Sequence, residues 1–204
     1  MTLSLPPEPT GTAETKEGTH RALLEAARRV LNQLGYQGAT LDRIAAEAGY
    51  TKGAVYWHFK NKESLFLDLL AEALRENLRE LHALLDLAGD DAERIELDMA
   101  GYIERQFGKA VPVLALELEL ESRRNPSLAA VYRTVITRHQ AEICRILERY
   151  YQVVGREPPM PVAQLTALVL AFAEGFALQR QSRPEQELDL VRAVKILLGM
   201  PKGV

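Results

Sequence analysis

Thr40 to Lys62 reads TLDRIAAEAGYTKGAVYWHFKNK, and this stretch decides the architecture of the 204-residue chain. Leu41, Ile44, Ala45 and Ala48 fall at the i, i+3, i+4, i+7 spacing of one helical face. Thr40 stands where its hydroxyl can accept from free backbone N–H groups, and Asp42 follows in the first turn, where the helix dipole favours an acid. Gly49 is able to take the left-handed conformation that ends a helix. Thr51 is then placed to cap a second helix over 52–59, with Val55 and Phe59, four apart, facing the core. Two helices separated by about three residues have the spacing of a helix-turn-helix.

The opposite side of the second helix carries Thr51, Lys52, Gly53, Ala54, Tyr56, Trp57 and His58. Exposing a tyrosine and a tryptophan to water is wasteful. In a major groove, by contrast, the indole can touch thymine methyls and the phenol can reach a phosphate. Packing among themselves as a satellite aromatic cluster is the competing account of Tyr56, Trp57 and His58. Gly53 costs helix stability and so suggests close approach to something. Asn61 caps the next helix, placing the N–H groups of Lys62 and Glu63 and the Lys62 ammonium where a phosphate fits; Lys60 adds a second cation. For Leu41, Ile44, Val55 and Phe59, core packing is the expected role.

The composition is that of a globular chain with a real core, 47% hydrophobic and 26% charged. A net charge of −3 argues against a nucleic-acid partner only until its distribution is read. Between residues 16 and 62, Lys16, Arg21, Arg28, Arg29, Arg43, Lys52, Lys60 and Lys62 face only Glu17, Glu25, Asp42 and Glu47, a local +4 that leaves −7 on the rest. A basic head on an acidic body concentrates attraction for phosphate in one place. Cys144, the one cysteine, excludes an intrachain disulfide and is expected to pack as a small apolar group. No apolar run approaches the roughly 20 residues of a membrane span and the start lacks a secretory layout, so a cytoplasmic location is expected.

The pattern predicts an all-α chain. Residues 1–14 form a flexible, proline-rich tail. A first helix runs over 16–34, with Leu23, Ala26, Ala27, Val30, Leu31 and Leu34 on its inner stripe and Gly35 as its stop. Residues 15–61 make a three-helix head and 62–204 a helical body. A long helix over 62–87 links the two, so that its tilt can pass a change of state between them. Further helices are expected at 92–107, 112–123, 127–151, 162–180 and 184–198, broken by Gly108, Asn125-Pro126, the Pro158–Pro161 stretch and Arg183-Pro184.

The run Gly53-Ala54-Val55-Tyr56-Trp57-His58-Phe59-Lys60-Asn61-Lys62 stands together with Gly35-Tyr36, Thr40 and Ile44-Ala45-Ala46-Glu47-Ala48-Gly49. This set resembles the DNA-binding domain of the TetR family of transcriptional repressors, over about residues 16 to 66. The resemblance implies a DNA-binding set of Thr40, Thr51, Lys52, Gly53, Ala54, Tyr56, Trp57, His58 and Lys62. It also implies a body that holds a small-molecule effector and a dimer face. Leu165, Leu168, Val169, Phe172, Phe176, Leu190, Val191, Val194, Leu197 and Leu198 on the last two helices offer more apolar surface than one inward face uses, and Ala167, Ala171, Gly175 and Ala177 allow close approach of a partner. Met99, Tyr102, Ile103, Phe107, Leu114, Leu118, Tyr132, Ile136 and Phe172 are the candidate effector-binding residues, suiting a largely apolar organic molecule. For any single one of these, plain core is the better account. Arg123, Arg124, Arg133 and Arg138 are the positions for an anionic effector.

Two enzyme-like constellations dissolve on inspection. Glu119 points away from the i, i+4 pair Glu117 and Glu121. His139 and Glu142 have a spacing used in carboxylate metal sites, but no matching ligands stand on other helices. No phosphate loop, nucleophile elbow or HExxH motif occurs, so no enzyme, no cofactor and no metal is expected. The expected function is a homodimeric repressor that binds palindromic double-stranded DNA and is released by its effector. The alternatives are an effector-independent activator or architectural protein, and a helical carrier or enzyme with a vestigial helix-turn-helix.

Overall fold

A computed structural model describes residues 13–89, 91–106, 111–183 and 189–200. Its helices are α1 (Ala13–Gly38), α2 (Leu41–Ala48), α3 (Lys52–His58), α4 (Lys62–Ala88), α5 (Ala92–Gln106), α6 (Val111–Ser122), α7 (Pro126–Val154), α8 (Val162–Ser182) and α9 (Leu190–Leu197). No strand occurs among the described residues. Two compact units are present, Met1–Leu65 and Phe66–Val204, and the boundary between them falls one turn into α4. The expected tail, apart from residues 13 and 14, and the breaks at Gly108 and Pro184 lie outside the described residues.

The head is built on a stripe of α1. Leu23, Leu24, Ala26, Ala27, Val30 and Leu31 are buried, and they are joined by Leu41, Ile44, Ala45, Val55, Phe59 and Leu65. Gly35 does stop the first helix: its φ of 67° and ψ of 175° lie outside helical space, in a region open only to glycine. Leu34 departs from expectation. It is 47% exposed, because the break at Gly35 folds the chain so that the Cβ of Leu34 lies against Gly38, while Tyr36 fills the interior instead. Gly49 ends α2 at a φ of 73°, its N–H donating to the carbonyls of Ala45 and Ala46.

In the body, Leu81, Leu85, Ile95, Met99, Ile143, Ile146, Tyr150, Leu165, Val194 and Leu198 share one buried cluster drawn from α4, α5, α7, α8 and α9. α7 reaches Val154, three residues beyond expectation, because no breaker stands before Gly155 at a φ of 64°. α9 runs from Leu190, with Asp189 as its cap accepting from the Arg192 N–H at 2.9 Å; residues 184–188 of the expected helix lie outside the described residues. The expectation that no run approaches a membrane span is also corrected. Val162–Arg180 is long and apolar enough by length and composition, with 17% of its window buried. A two-faced apolar pattern, interrupted by Glu174, produces that length.

Buried polar groups lock the lower body. Glu96, 4% exposed on α5, pairs with Arg156 after α7 and accepts from the Tyr150 hydroxyl at 3.4 Å. Arg156 also donates to the Gly199 carbonyl at 3.2 Å, and the Tyr151 hydroxyl donates to the Leu198 carbonyl at 2.8 Å, tying down the end of α9. Replacing Glu96 with alanine removes the carboxylate partner of a guanidinium that is 32% exposed and keeps the Gly199 carbonyl; urea unfolding should register a loss of about 1–3 kcal/mol.

Burial lowers the His139 imidazole from its ordinary 6.5 to about 4. The unfolded chain therefore binds a proton in that interval which the folded chain refuses. Stability contributed by the neutral ring is intact above about pH 6.5 and falls by up to about 3 kcal/mol as pH drops toward 4. Unfolding curves of the wild type and of His139→Leu should therefore diverge as pH is lowered through this window, the variant losing less.

Candidate nucleic-acid interface

Three side-chain caps set the helix starts of the head. Thr40 Oγ1 accepts from the Arg43 N–H and Thr51 Oγ1 from the Ala54 N–H, each at 3.2 Å. Asn61 and Ser64 cap α4 reciprocally: the Ser64 N–H donates to Asn61 Oδ1 at 2.8 Å, and the Asn61 N–H donates to Ser64 Oγ at 3.2 Å. Arg29 on α1 pairs with Glu47 on α2 at 2.6 Å, and Arg43 donates to the Gly38 carbonyl at 2.8 Å, fixing α2 on α1.

Within α3 the one buried side chain is Val55; Phe59, also buried, follows as its C-cap. That anchoring turns Tyr56 and Trp57 outward, 49% and 63% exposed. Gly53 lies beside them with open space above it: an added Cβ would meet only Thr51 Oγ1, at 3.9 Å. Nothing in the head requires glycine there. His58 differs from the expected outward placement. It is half-buried, with its ring 5.9 Å from His20 and 6.1 Å from Phe59, and it meets the Trp57 indole edge-on at 4.7 Å. Burial first, then the neighbouring His20 and Lys16, lower its pKa, favouring the neutral ring. Ala54 is half-buried as well.

The cations of this face are held in place. The Lys52 ammonium is 2.8 Å from Asp42 Oδ2 and 5.8 Å from the centre of the Tyr56 ring. Its hydrogen bond and charge interaction with Asp42 raise its pKa, and both partners are more than half exposed, so the pair is screened and exchangeable. The Lys62 ammonium lies 4.1 Å over the Tyr36 ring and 3.5 Å from the Gln37 carbonyl, beside the first turn of α4. Lys16, which sequence reasoning counted as charge but not as part of the face, sits 4.3 Å over the Trp57 ring. Only the folded packing of α1 against α3 brings that pair together; the signal in the chain was no more than a lysine near the start of an amphipathic helix.

The candidate effector residues divide. Met99, Tyr102 and Ile103 belong to the main body cluster, with Phe172 packed against it. Leu114, Leu118 and Tyr132 are buried outside that cluster, Tyr132 donating to the Ala115 carbonyl at 3.0 Å; Ile136 is half-buried, and Phe107 lies outside the described residues. Arg123, Arg124, Arg133 and Arg138 are all exposed, with Arg123 3.8 Å from Glu119. Glu142 pairs with Arg145, and among the described residues no three metal-ligating side chains are grouped.

Fold and face together define an all-helical protein with a helix-turn-helix head. Residues 23–69 match the sequence family described as bacterial regulatory proteins, tetR family. The probable HTH-type transcriptional regulator ArpR of Pseudomonas putida is 37% identical over 106 residues, 52% of this chain and 47% of ArpR. The chain thus spans about half of that relative's length. FadR of Bacillus subtilis, solved in complex with stearoyl-CoA, shares the fold with a TM-score of 0.64 at 20% identity, over 88% of this chain and 96% of that one. A TetR transcription regulator from Haloarcula marismortui shares it with a TM-score of 0.68 at 16% identity, over 90% and 97%. Over residues 23–69, which include the helix-turn-helix, the chain is similar to the tetR family of bacterial regulatory proteins.

Because the head has no internal use for Gly53, Gly53→Ala should raise thermal stability by about 0.5–1 kcal/mol through better helix propensity. The same variant should bind duplex DNA more weakly, as read by fluorescence anisotropy.

Proposed function

We propose that this protein is a ligand-responsive transcriptional repressor that binds a palindromic operator as a homodimer, in the cytoplasm, and lets go when a small, largely apolar effector occupies its body. The carrying observation is the outward pair Tyr56 and Trp57 on a helix anchored by Val55, flanked by Lys16, Lys52 and Lys62. Trp57 and Lys52 are placed to meet base edges, while Tyr56 and Lys62, with the α4 N-terminus, meet phosphates. Thr40 and Thr51 start the two helices, and His58 supports the indole from behind. Gly53 and Ala54 keep the approach close.

The dimer reading rests on the body. Leu168, Leu178 and Ile196 are 46%, 44% and 67% exposed on α8 and α9, while Leu165, Val194 and Leu198 on the same helices are buried. Ala167, Ala171 and Gly175 are exposed alongside, so a second copy can pack closely there. Two copies would set their recognition helices about 34 Å apart, or a multiple of it, and read a two-fold site. For the effector, the support is a body larger than the head needs and the ligand-bound state of the FadR neighbour. Release is then a population shift between DNA-competent and incompetent arrangements.

A gel shift with DNA from upstream of the protein's own gene tests the central reading; failure to retard any duplex at moderate salt defeats it. Lys62→Ala should weaken binding to cognate and random duplexes alike and reduce the salt slope by about one per protomer. Trp57→Ala should instead cost about 1–3 kcal/mol on cognate DNA and little on random DNA. Equal losses on both for Trp57→Ala would remove it from base readout.

A further inference from the structure

Among the described residues of the body, the other buried polar side chains have partners. Glu96 has Arg156 and Tyr150; Thr166 Oγ1 donates to the Val162 carbonyl at 2.8 Å; the hydroxyls of Tyr132 and Tyr151 reach the carbonyls of Ala115 and Leu198. His139 is the exception. It is 7% exposed, and its Nδ1 is buried with no hydrogen-bond partner. A buried nitrogen left unpaired is costly, and a chain that merely needed bulk there would be served better by leucine.

Its position is informative. His139 lies on the buried stripe of α7, seven residues after Tyr132 and four before Ile143. At helical rise these are about 10 Å and about 6 Å along the axis. Ile143 belongs to the cluster that holds Met99, Tyr102 and Ile103, and Tyr132 closes against α6; His139 stands between these two on the stripe. One unpaired polar atom therefore stands on α7 between two apolar groups, each of which contains residues expected to meet an effector. That is the make-up of a small-molecule site: mostly apolar walls and one polar group to fix orientation.

We infer that His139 is the polar anchor of the effector site, and that the effector is a largely apolar molecule carrying one hydroxyl or carboxyl group. This rests on the effector-responsive reading above and sharpens it. A neutral imidazole has one donor and one acceptor nitrogen; a hydroxyl group can satisfy Nδ1 in either tautomer, since it both donates and accepts, and a carboxylate satisfies it in the tautomer that carries the proton on Nδ1. A cationic head offers only donors and finds no counter-charge at this ring. A pure hydrocarbon leaves the nitrogen as it is.

The test uses the full chain as wild type, His139→Leu and His139→Gln, in thermal-shift and calorimetric titrations. The probes are decanol, decanoic acid, decane, decylammonium, naphthol and naphthalene. The wild type should bind decanol, decanoic acid and naphthol about tenfold tighter than their hydrocarbon or ammonium counterparts. His139→Leu should melt no lower than the wild type without ligand, yet lose that preference while still binding decane or naphthalene. His139→Gln should regain part of the preference. A leucine variant that keeps the full preference, or one that melts well below the wild type, overturns the role of His139 and leaves an effector-responsive body standing. A wild type unmoved by every probe overturns the inference together with the effector reading, while the gel shift still judges DNA binding by itself.

Discussion

Everything the head presents to the outside depends on how one short helix is held at one rotation about its axis. α3 has seven residues, too few to persist in water by itself. Val55, fully buried, is its single inward side chain, and Phe59 at its end is 2% exposed. Burying such side chains is worth about 1.5–3 kcal/mol each, enough to seat a helix of two turns but with little to spare. The Thr51 cap at one end and the break at Phe59 leave no room for a register shift. With Val55 inward, Tyr56 and Trp57 have nowhere to go but out. The outward aromatic pair is thus a consequence of core packing, and no local preference of those residues needs to be invoked.

That dependence explains what was legible in the chain. Thr40, Thr51 and Asn61 are read as caps because capping is a matter of a few residues, and all three hydroxyl or amide oxygens accept where spacing says they should. The inner stripe of α1 is legible until Leu34, where a periodic rule meets a glycine whose φ/ψ no periodicity encodes. His58 is misread because seven residues of helix contain little periodicity, and what decides its burial is His20, far away in sequence. The same holds for Lys16 over Trp57 and for Asp42 with Lys52, since these contacts exist only after tertiary packing. In the body, helix existence is clear, but which apolar residues serve core and which serve a ligand is not. Met99 or Leu118 looks the same in either role until its surroundings are known.

The charge pattern gains meaning from those contacts. A count of +4 over residues 16–62 says that phosphate is attracted; it does not say whether the charges are ready to meet it. Lys16 and Lys62 lie over aromatic rings, which hold an ammonium without neutralising it and reduce the rotamer freedom that binding must remove. Lys52 is different, because its partner is a carboxylate that binding must displace. An ammonium released only when something better replaces Asp42 favours close-fitting contacts over loose ones. In the proposed DNA complex, ring-held cations supply general affinity and the exchangeable pair adds discrimination.

The body shows two incomplete features, and they are of different kinds. α8 is apolar over 19 residues but mostly unburied, a pattern that a single soluble chain does not leave open, and one that a membrane or a second protein surface would cover. Glu174 helps to choose between these. It sits within the apolar window, half-buried, and burial first, then nearby Glu119, raise its pKa. Bilayer hydrocarbon would remove the remaining water, whereas a protein partner can leave it a wet edge. The small residues Ala167, Ala171 and Gly175 likewise suit helix-on-helix contact. In the proposed dimer, a two-fold copy would cover this face and, in the same step, provide a second recognition helix.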